Sequence, residues 1–271
     1  MINPAALAAE LTAAYGQRRP VATPSSHDPA FDLAAGYAVE SELLRLRIAS
    51  GHAPVGRKVG YANKALWRVL KLETVVWAHV YDDTASYARD GEAVLSIGRM
   101  YAPKIEPEIV FKLRTDAVRL GDRGVDAAGA VDACEWTALG FEIIDCVYPD
   151  WRFQPADFVA AFGLHAALVV GEPTPIDPAM VDELPRLKVR LLKDGELVEE
   201  GSGRNVLRSP ALCLAELAVA TARHRPPEPL GPGEIITTGT MTESQPIRPG
   251  HTWTAEVDGL DVATLTLRVE E

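Results

Sequence analysis

The chain has 271 residues, of which 47% are hydrophobic, and a formal net charge of −11. This size and composition predict a globular protein with one large domain, with or without a small N-terminal segment. The acidic balance and the absence of a basic cluster argue against a nucleic-acid partner, and no hydrophobic run is long enough for a transmembrane helix, so we also expect no membrane partner.

Two helices are predicted at the start of the chain. Residues 4–15 are rich in alanine and place hydrophobic side chains on one face, the pattern of an amphipathic helix. A second helix is predicted to begin at Asp28-Pro29, which resembles an N-cap followed by a first-turn proline, and to end at Gly51. We expect residues 1–54 to form a helical N-terminal cap segment on the main domain.

The sequence pattern of residues 55–271 predicts mainly strands and turns, with few helices. Asp194-Gly195 and Asp258-Gly259 are each typical of the centre of a hairpin. The strands do not alternate with long helices as in a doubly wound sheet. We therefore predict an α+β fold, in which residues 55–271 form a catalytic domain with a mixed β-roll core and peripheral helices. The other predicted elements are strands near 55–61, 77–80, 103–113, 141–147, 167–170 and 234–238, helices at 64–70, 126–139 and 210–224, and a loop at 116–124.

The cysteines and the N-terminus predict the cellular compartment. Cys134, Cys146 and Cys213 are odd in number and far apart, which favours neither a disulfide framework nor a structural zinc site. Residues 1–10 lack the basic region of a signal peptide, and Glu10 interrupts their hydrophobic part. We therefore expect a cytoplasmic protein without a signal peptide.

The strand predicted at residues 103–113 carries two glutamates, Glu106 and Glu108, in a hydrophobic run. Side chains two residues apart in a strand point to the same face, so these carboxylates should lie side by side. Pro107 between them cannot donate a hydrogen bond to a neighbouring strand, which predicts an edge, a bulge or a rim. Two adjacent carboxylates repel each other, and a bound cation would relieve the repulsion. The alternative is a solvated strand end.

Glu142 is the candidate third ligand, because it interrupts another hydrophobic strand. A carboxylate in such a strand is costly to bury alone and should have a partner. Three carboxylates with water molecules would form a half-open octahedral site that suits Mg²⁺ or Mn²⁺. Taken alone, Glu142 could equally be exposed at a strand end.

Two further stretches carry candidate substrate-binding residues. Lys58 lies in a strand flanked by glycines, which allow a ligand to approach the backbone closely, so it could hold a carboxylate or a keto oxygen. Arg57 beside it is a second candidate, although either side chain could instead lie along the surface. Gly239 and Thr240 follow a predicted strand, where backbone N–H groups and the Thr240 hydroxyl could bind an anionic oxygen. A plain turn is the alternative for this pair.

A set of motifs occurs in a fixed order along the chain: Lys-Val-Gly at 58–60, Pro-Lys-Ile-Glu-Pro-Glu-Ile at 103–109, Glu-Ile-Ile-Asp at 142–145 followed by Trp151, Gly-x-Gly at 201–203, and Gly-Glu-Ile-Ile-Thr-Thr-Gly-Thr at 233–240. Together they resemble the fumarylacetoacetate hydrolase superfamily, in the branch of 2-oxopent-4-enoate hydratases and 4-oxalocrotonate decarboxylases. The resemblance covers residues 30–270. It implies a mixed β-roll, a homo-oligomer, and a Mg²⁺ or Mn²⁺ site formed by Glu106, Glu108 and Glu142. It also implies a 2-oxo acid substrate that binds the metal through its carboxylate and keto oxygens, with Lys58 nearby.

Two positions depart from this resemblance. Hydratases of the branch carry an acidic residue near the position of Val76 and a pair of serines near Leu164-His165. Because histidine titrates near neutral pH, we expect His165 to act as the general base that directs water, with His52 as a second candidate. A core histidine bonded to the backbone is the alternative for His165.

These features predict a metal-dependent hydrolase or lyase that acts on a small 2-oxo or 2,4-dioxo acid from aromatic ring-fission catabolism. The first expectation is C–C hydrolysis of an acylpyruvate such as maleylpyruvate or fumarylpyruvate, with Lys58, Glu142 and His165 as catalytic residues. Hydration of 2-hydroxypenta-2,4-dienoate and decarboxylation of 4-oxalocrotonate are alternatives, because the same metal site serves all three reactions. A non-catalytic keto-acid-binding module is a further alternative.

Overall fold

The structure is a computed structural model that describes residues 2–114 and 126–271, so the loop predicted at residues 116–124 lies outside the described residues. No helix in the described ranges has the length and hydrophobicity that crossing a bilayer requires. The helices are α1 (Pro4–Gly16), α2 (Pro24–His27), α3 (Leu33–Ala49), α4 (Trp67–Leu70), α5 (Ala127–Asp132), α6 (Pro155–Ala160), α7 (Met180–Glu183) and α8 (Pro210–Arg223).

The strands of the described residues form two mixed sheets. The larger sheet has the order β2-β1-β11-β5-β6-β7-β3, with β12 paired to β5 and β8 paired to β6, and the smaller has the order β10-β9-β13-β14-β4. The strands are β1 (Pro54–Gly60), β2 (Val76–Tyr81), β3 (Ala85–Tyr87), β4 (Glu92–Ser96), β5 (Lys104–Leu113), β6 (Cys134–Ile144), β7 (His165–Val170), β8 (Thr174–Pro175), β9 (Lys188–Lys193), β10 (Glu196–Ser202), β11 (Ile235–Thr237), β12 (Gln245–Pro246), β13 (Thr252–Asp258) and β14 (Leu265–Glu270).

The predicted α+β class is confirmed, and so is the hairpin at Asp194-Gly195, whereas the second hairpin has a longer connection than the turn predicted at Asp258-Gly259. Strands β9 and β10 pair antiparallel around Asp194-Gly195, and β13 pairs antiparallel with β14 beyond Asp258-Gly259. Asp194 and Gly195 both have positive φ angles, 51° and 83°, as the tight turn of a two-residue hairpin requires. Parallel pairs, β1 with β11 and β3 with β7, make the larger sheet mixed.

The centre of the larger sheet is the long antiparallel pair β5–β6. On its other edge β5 pairs with β11 through residues 110–112 and with β12 through residues 104–105. The stretch between them holds Pro107, whose missing N–H is tolerated because no strand of the described residues pairs with it on this edge. The Pro107 carbonyl accepts a hydrogen bond from Met241 N at 3.1 Å. The loop after β11 therefore fills this gap, and it lies beside Glu106 and Glu108.

One predicted helix is largely wrong. The sequence pattern predicted a helix over residues 126–139, whereas α5 ends at Asp132 and β6 already begins at Cys134. Trp136 and Thr137 belong to residue types that favour strands, and Trp136 to Ile144 pair with β5 along its length. Tertiary pairing with β5 therefore decides the conformation of this segment.

The N-terminal helices pack on the main body. Ala8 of α1 and Leu43 of α3 belong to the same buried hydrophobic cluster as Ile105 and Phe141 of the central strands. The first predicted helix is confirmed, but α3 is capped by Asp32, whose Oδ1 accepts from Ala35 N at 2.9 Å, and not by the residues predicted. The division between residues 1–54 and 55–271 stays a prediction, because the two parts share one core.

Candidate metal centre and substrate cavity

Three glutamates meet on the β5–β6 pair. Glu106 and Glu108 project from the same face of β5, and Glu142 lies directly opposite Glu106 in the antiparallel register. Each residue offers a carboxylate oxygen, and these oxygens all lie within 4.8 Å of one another. Strand alternation and strand register, both properties of the backbone, thus bring together the three acidic residues that the sequence singled out.

Glu108 is fully buried and fixed by the loop that follows β11. Its Oε2 accepts hydrogen bonds from the Thr237 hydroxyl and from Gly239 N, the latter at 2.7 Å. Gly239 has a φ of +100°, and a Cβ there would lie 2.7 Å from the Cβ of Ala62, so only glycine fits. The other oxygen, Oε1 of Glu108, is buried and has no hydrogen-bond partner among the described residues.

Glu142 is held from two sides. Lys58 Nζ lies 3.0 Å from Oε2 and also donates to the Gly163 carbonyl at 2.9 Å. His165 Nδ1 lies 2.9 Å from Oε1, and its Nε2 lies 2.9 Å from the Thr84 hydroxyl. The side chains of Lys58, His165 and Glu142 are all at most 3% exposed. This carboxylate therefore has a fixed orientation.

The surroundings shift the pKa values of the three glutamates in different directions. Burial raises the pKa of Glu106 to about 7, although Lys58 acts in the opposite direction. Burial and the neighbouring Glu142 and Glu106 raise the pKa of Glu108 well above its usual value. Burial also acts to raise the pKa of Glu142, but Lys58 and His165 outweigh it and hold that pKa below its usual value. Glu142 and Lys58 thus form a charged pair, whereas the attraction of Lys58 does not outweigh the effect of burial at Glu106 and Glu108.

The donor set fits a small divalent cation. All three donors are carboxylate oxygens, which are hard ligands that suit Mg²⁺ or Mn²⁺. The unpartnered Oε1 of Glu108 is costly in a buried position unless a cation or water meets it. Lys58 supplies one positive charge against three carboxylates, so an additional cation would balance the cluster. Glu106, Glu108 and Glu142 are therefore the residues that could hold the metal.

Lys58 and Glu106 also line a cavity of about 710 Å³. Tyr61 and Phe158 form part of its wall, with ring centroids 5.3 Å apart. Trp151 forms another part and lies under Lys104, whose Nζ is 4.0 Å from the ring centroid. The remaining polar and aromatic lining comes from Asn63, Phe153, Glu199, Glu200, Asn205, Thr240, Thr242, Glu243 and Ser244.

The structure brings some of the predicted substrate-binding residues to this cavity. Lys58, Gly239 and Thr240 line it. The Thr240 hydroxyl donates to the Thr242 carbonyl at 3.0 Å. The backbone N–H of Gly239 already serves Glu108. Neither donor is therefore directed at a ligand in this conformation.

Arg57 is not brought to the cavity. Consecutive residues of a strand face opposite sides, and Arg57 points away from Lys58 toward Glu234, with Nη1 3.0 Å from Oε2. Its guanidinium also lies 5.1 Å from the Trp77 ring centroid. These contacts correct the expectation that Arg57 binds substrate, because its side chain is committed to an ion pair on the other face of the sheet.

The two histidines considered as general bases are placed differently from the expectation. Both ring nitrogens of His165 contact protein groups, and this residue is absent from the lining of the cavity. His52 lies 3.5 Å from Asp82 and Asp83 in a separate cluster, also outside the cavity lining. Neither side chain therefore faces the space in which a substrate would bind.

Sequence reasoning missed two residues at this centre. Thr237 binds Glu108, and Thr84 contacts His165. The spacing in Thr-Thr-Gly-Thr contained a signal for Thr237, since Thr237 and Gly239 are two apart and both serve the same oxygen. Thr84 gave no signal, because it lies 81 residues from its partner.

Comparison with known proteins identifies the family and agrees with the fold. A family model described as fumarylacetoacetate (FAA) hydrolase C-terminal matches residues 58–269. The chain belongs to this family. The confirmed fold is that of the fumarylacetoacetate hydrolase family, and the chain is an enzyme of the hydrolase or lyase type. A 2-hydroxyhexa-2,4-dienoate hydratase from Comamonas testosteroni is 29% identical over 248 residues, which is 91% of this chain and 90% of the relative.

Solved structures of the family extend this comparison. The 4-oxalocrotonate decarboxylase from Pseudomonas putida G7, complexed with magnesium and adipate, is 26% identical with a TM-score of 0.88 and covers 99% of both chains. The fumarylpyruvate hydrolase from Pseudomonas aeruginosa, in complex with Mn²⁺ and pyruvate, is 18% identical with a TM-score of 0.58, covering 79% of this chain and 88% of that one. The latter is similar in fold alone, so the expectation of C–C hydrolysis gains no support from these comparisons.

Proposed function

We propose that this protein is a divalent-metal-dependent hydratase of a small 2-hydroxy-2,4-dienoate, such as 2-hydroxypenta-2,4-dienoate. The reaction adds water across C4 and C5, with the hydroxyl at C4 and hydrogen at C5, and the enol proton moves from the 2-oxygen to C3, which gives a 4-hydroxy-2-oxo acid. The observation that carries the proposal is the convergence of Glu106, Glu108 and Glu142 beside Lys58, with Glu106 and Lys58 lining a cavity. A metal held there would meet the 1-carboxylate and 2-oxygen of such a substrate.

The chain's own residues have distinct parts in this proposal. Lys58, buried and cationic, orients the anionic end of the substrate beside the three carboxylates. Phe158 and Tyr61 provide an apolar wall against which a flat diene can pack. A bound Mg²⁺ or Mn²⁺ supplies Lewis-acid stabilisation of the negative charge that develops on the 2-oxygen. The metals named in the related structures support this choice of ion.

Hydration is favoured over the other reactions by the charge of the cavity. Fumarylpyruvate and 4-oxalocrotonate carry a second carboxylate, which needs a cationic partner away from the metal. Among the described lining residues Lys58 is the single basic one, and it is paired with Glu142. Glu199, Glu200 and Glu243 add negative charge to the lining, which disfavours a second carboxylate. The name of the Comamonas relative supports the same reading.

Absorbance measurements with synthetic substrates test the proposal. The protein is incubated with 2-hydroxypenta-2,4-dienoate and Mg²⁺ or Mn²⁺, and the experiment is repeated with EDTA. We expect the dienol chromophore to disappear only with metal, without release of pyruvate or CO₂. A parallel incubation with 4-oxalocrotonate and with an acylpyruvate separates the alternatives. CO₂ release would indicate a decarboxylase, and pyruvate release from the acylpyruvate would indicate a C–C hydrolase.

Failure of every substrate would favour a non-catalytic keto-acid-binding module. The Glu106→Gln variant then becomes informative, because it tests the metal site independently of turnover. We expect it to lose Mn²⁺ binding in calorimetry, while Glu172→Gln, an exposed glutamate outside the cavity lining, binds as the wild type does. Association into a homo-oligomer remains a prediction from the resemblance, and a cytoplasmic location remains a prediction from the cysteines and the N-terminal residues.

A further inference from the structure

Glu142, His165 and Thr84 form a continuous chain of contacts that the proposed reaction does not use directly. Nδ1 of His165 lies 2.9 Å from Oε1 of Glu142, and Nε2 lies 2.9 Å from Oγ1 of Thr84. The three residues come from β6, from the start of β7 and from the turn between β2 and β3. The chain therefore links three separate segments of the larger sheet to one carboxylate.

The hydrogen bonds of the Thr84 hydroxyl define where it donates and where it accepts. It donates to the Tyr81 carbonyl at 3.0 Å and accepts from Tyr81 N at 3.2 Å. A hydroxyl has one proton and two acceptor lone pairs, so the remaining contact is satisfied when Nε2–H of His165 donates to it. This leaves Nδ1 of His165 directed at Glu142, to which it donates when both ring nitrogens carry a proton. Neither ring nitrogen is then free to bind a water molecule in the cavity.

The turn that carries Thr84 is held in place by contacts with neighbouring elements. Leu168 N donates to the Thr84 carbonyl at 2.8 Å. Arg47 of α3 forms an ion pair with Asp83, and its guanidinium lies 4.7 Å from the Tyr81 ring centroid. The hydroxyl of Thr84 thus has a fixed position, and its contact with Nε2 restricts rotation of the His165 imidazole.

We infer that Thr84 and His165 are positioning residues, which hold Oε1 of Glu142 so that the carboxylate faces Glu106 and Glu108 as a ready metal ligand. Lys58 holds the other oxygen. The inference rests on the proposed metal site and replaces the expectation that His165 is the general base. Partners that orient a metal ligand typically contribute a factor of about 10 to 100 in metal affinity.

Mn²⁺ binding, measured by isothermal titration calorimetry, tests this inference without turnover. We expect His165→Leu to weaken binding about 10- to 100-fold, because Glu142 loses one of its two partners. His165→Gln, whose amide can still donate to Glu142, should retain most of the affinity. Thr84→Val should weaken binding by up to about tenfold while leaving His165 in place. Thr254→Val is the matched control, since that hydroxyl contacts Thr266 in the smaller sheet.

Turnover of the dienoate by the same variants separates positioning from general-base catalysis. A general base would make both His165→Leu and His165→Gln about 10²-fold or more slower with unchanged Mn²⁺ affinity, and Thr84→Val nearly normal. That pattern, or wild-type affinity in His165→Leu and Thr84→Val, overturns the inference. If His165→Leu does not fold, as judged by its circular dichroism spectrum, Thr84→Val alone carries the test. Absence of Mn²⁺ binding in the wild type would instead refute the proposed metal site.

Discussion

Lys58 Nζ lies 3.0 Å from Oε2 of Glu142, and both side chains are buried. Burial acts to lower the pKa of Lys58, but the three neighbouring carboxylates outweigh burial and raise this pKa above its usual value. Lys58 is therefore the positively charged residue within a cluster of three carboxylates. The same position at the cavity wall makes it the candidate partner for an anionic substrate.

The first prediction concerns removal of this cation. Lys58→Met keeps most of the side-chain volume but leaves Glu142 buried without its ion pair. Breaking a buried pair from one side typically costs about 3–5 kcal/mol, so we expect a loss of that order in the free energy of unfolding of the metal-free protein. Turnover should fall about 100-fold or more.

Urea unfolding monitored by tryptophan fluorescence gives the stability, and initial rates give turnover. Lys188→Met serves as the control, because Lys188 is exposed on β9 of the smaller sheet. Equal stability of Lys58→Met and the control would show that the ion pair contributes nothing to the fold. Normal turnover would remove Lys58 from the proposed site.

The second prediction concerns pH. The pKa of Glu106 is raised to about 7 by burial, whereas a glutamate in an unfolded chain titrates near pH 4.3, about its reference value. Between these values the folded, metal-free protein retains a proton that the unfolded chain releases. Its free energy of unfolding therefore falls as pH rises through this range. Metal binding needs the deprotonated carboxylate, so the stabilisation by Mn²⁺ should grow over the same range.

Thermal unfolding with and without Mn²⁺ at pH 5.5 and 7.5 measures this effect. We expect a larger metal-induced rise in melting temperature at pH 7.5. In Glu106→Gln the metal-free protein should lose part of the decline in stability with pH. Equal metal-induced shifts at both pH values would contradict the assignment of Glu106 as a ligand with a raised pKa.

The third prediction concerns the close approach at Gly239. A Cβ at this position would lie 2.7 Å from the Cβ of Ala62, and the φ of +100° adds strain for any other residue. Gly239→Ala should displace the N–H that binds Glu108 Oε2. We expect weaker Mn²⁺ binding and a loss of stability of about 1–3 kcal/mol.

Gly250→Ala provides a closely matched control for this variant. Gly250 has a φ of +89°, yet no atom of the described residues lies within 4 Å of the position of its Cβ. Both variants therefore bear backbone strain, but only Gly239→Ala should disturb the hydrogen bond to Glu108 in the proposed metal site. Calorimetry of Mn²⁺ binding should distinguish the two variants. Equal Mn²⁺ affinities would show that the loop after β11 does not fix Glu108 for metal binding.

The cluster of three glutamates was accessible from sequence because it depends on backbone periodicity. Glu106 and Glu108 share a face by strand alternation, and Glu142 interrupts a second hydrophobic strand that pairs with the first. Strand alternation also places Arg57 and Lys58, which are consecutive residues of β1, on opposite faces of the sheet. The sequence analysis treated both residues as substrate ligands and missed this consequence.

Contacts between distant segments were not accessible in the same way. The helix expected over residues 126–139 gave way to β6 because pairing with β5 outweighs local helix propensity. His165 was expected to face water, yet its orientation depends on Thr84, a residue on another turn. Only the folded chain shows that both ring nitrogens are already engaged.

The last prediction concerns the charge of the substrate's tail. Glu199, Glu200 and Glu243 line the cavity, and Lys58 is its single basic residue among those described. We therefore expect kcat/KM to be higher for 2-hydroxypenta-2,4-dienoate and 2-hydroxyhexa-2,4-dienoate than for a dienoate that ends in a second carboxylate. Glu243→Lys should narrow this difference, because reversing a charge near a surface changes the interaction by an amount on the order of 1–2 kcal/mol.

Competition between charged and uncharged substrates in one reaction, resolved by chromatography, measures the ratio directly. Glu172→Lys makes the same change in charge at an exposed position outside the cavity lining, and it should leave the ratio unchanged. A faster reaction with the dicarboxylate in the wild type would point to a decarboxylase or a C–C hydrolase. The excess negative charge of the cavity lining would then have to be met by a cation bound with the substrate, since Lys58 is already paired with Glu142.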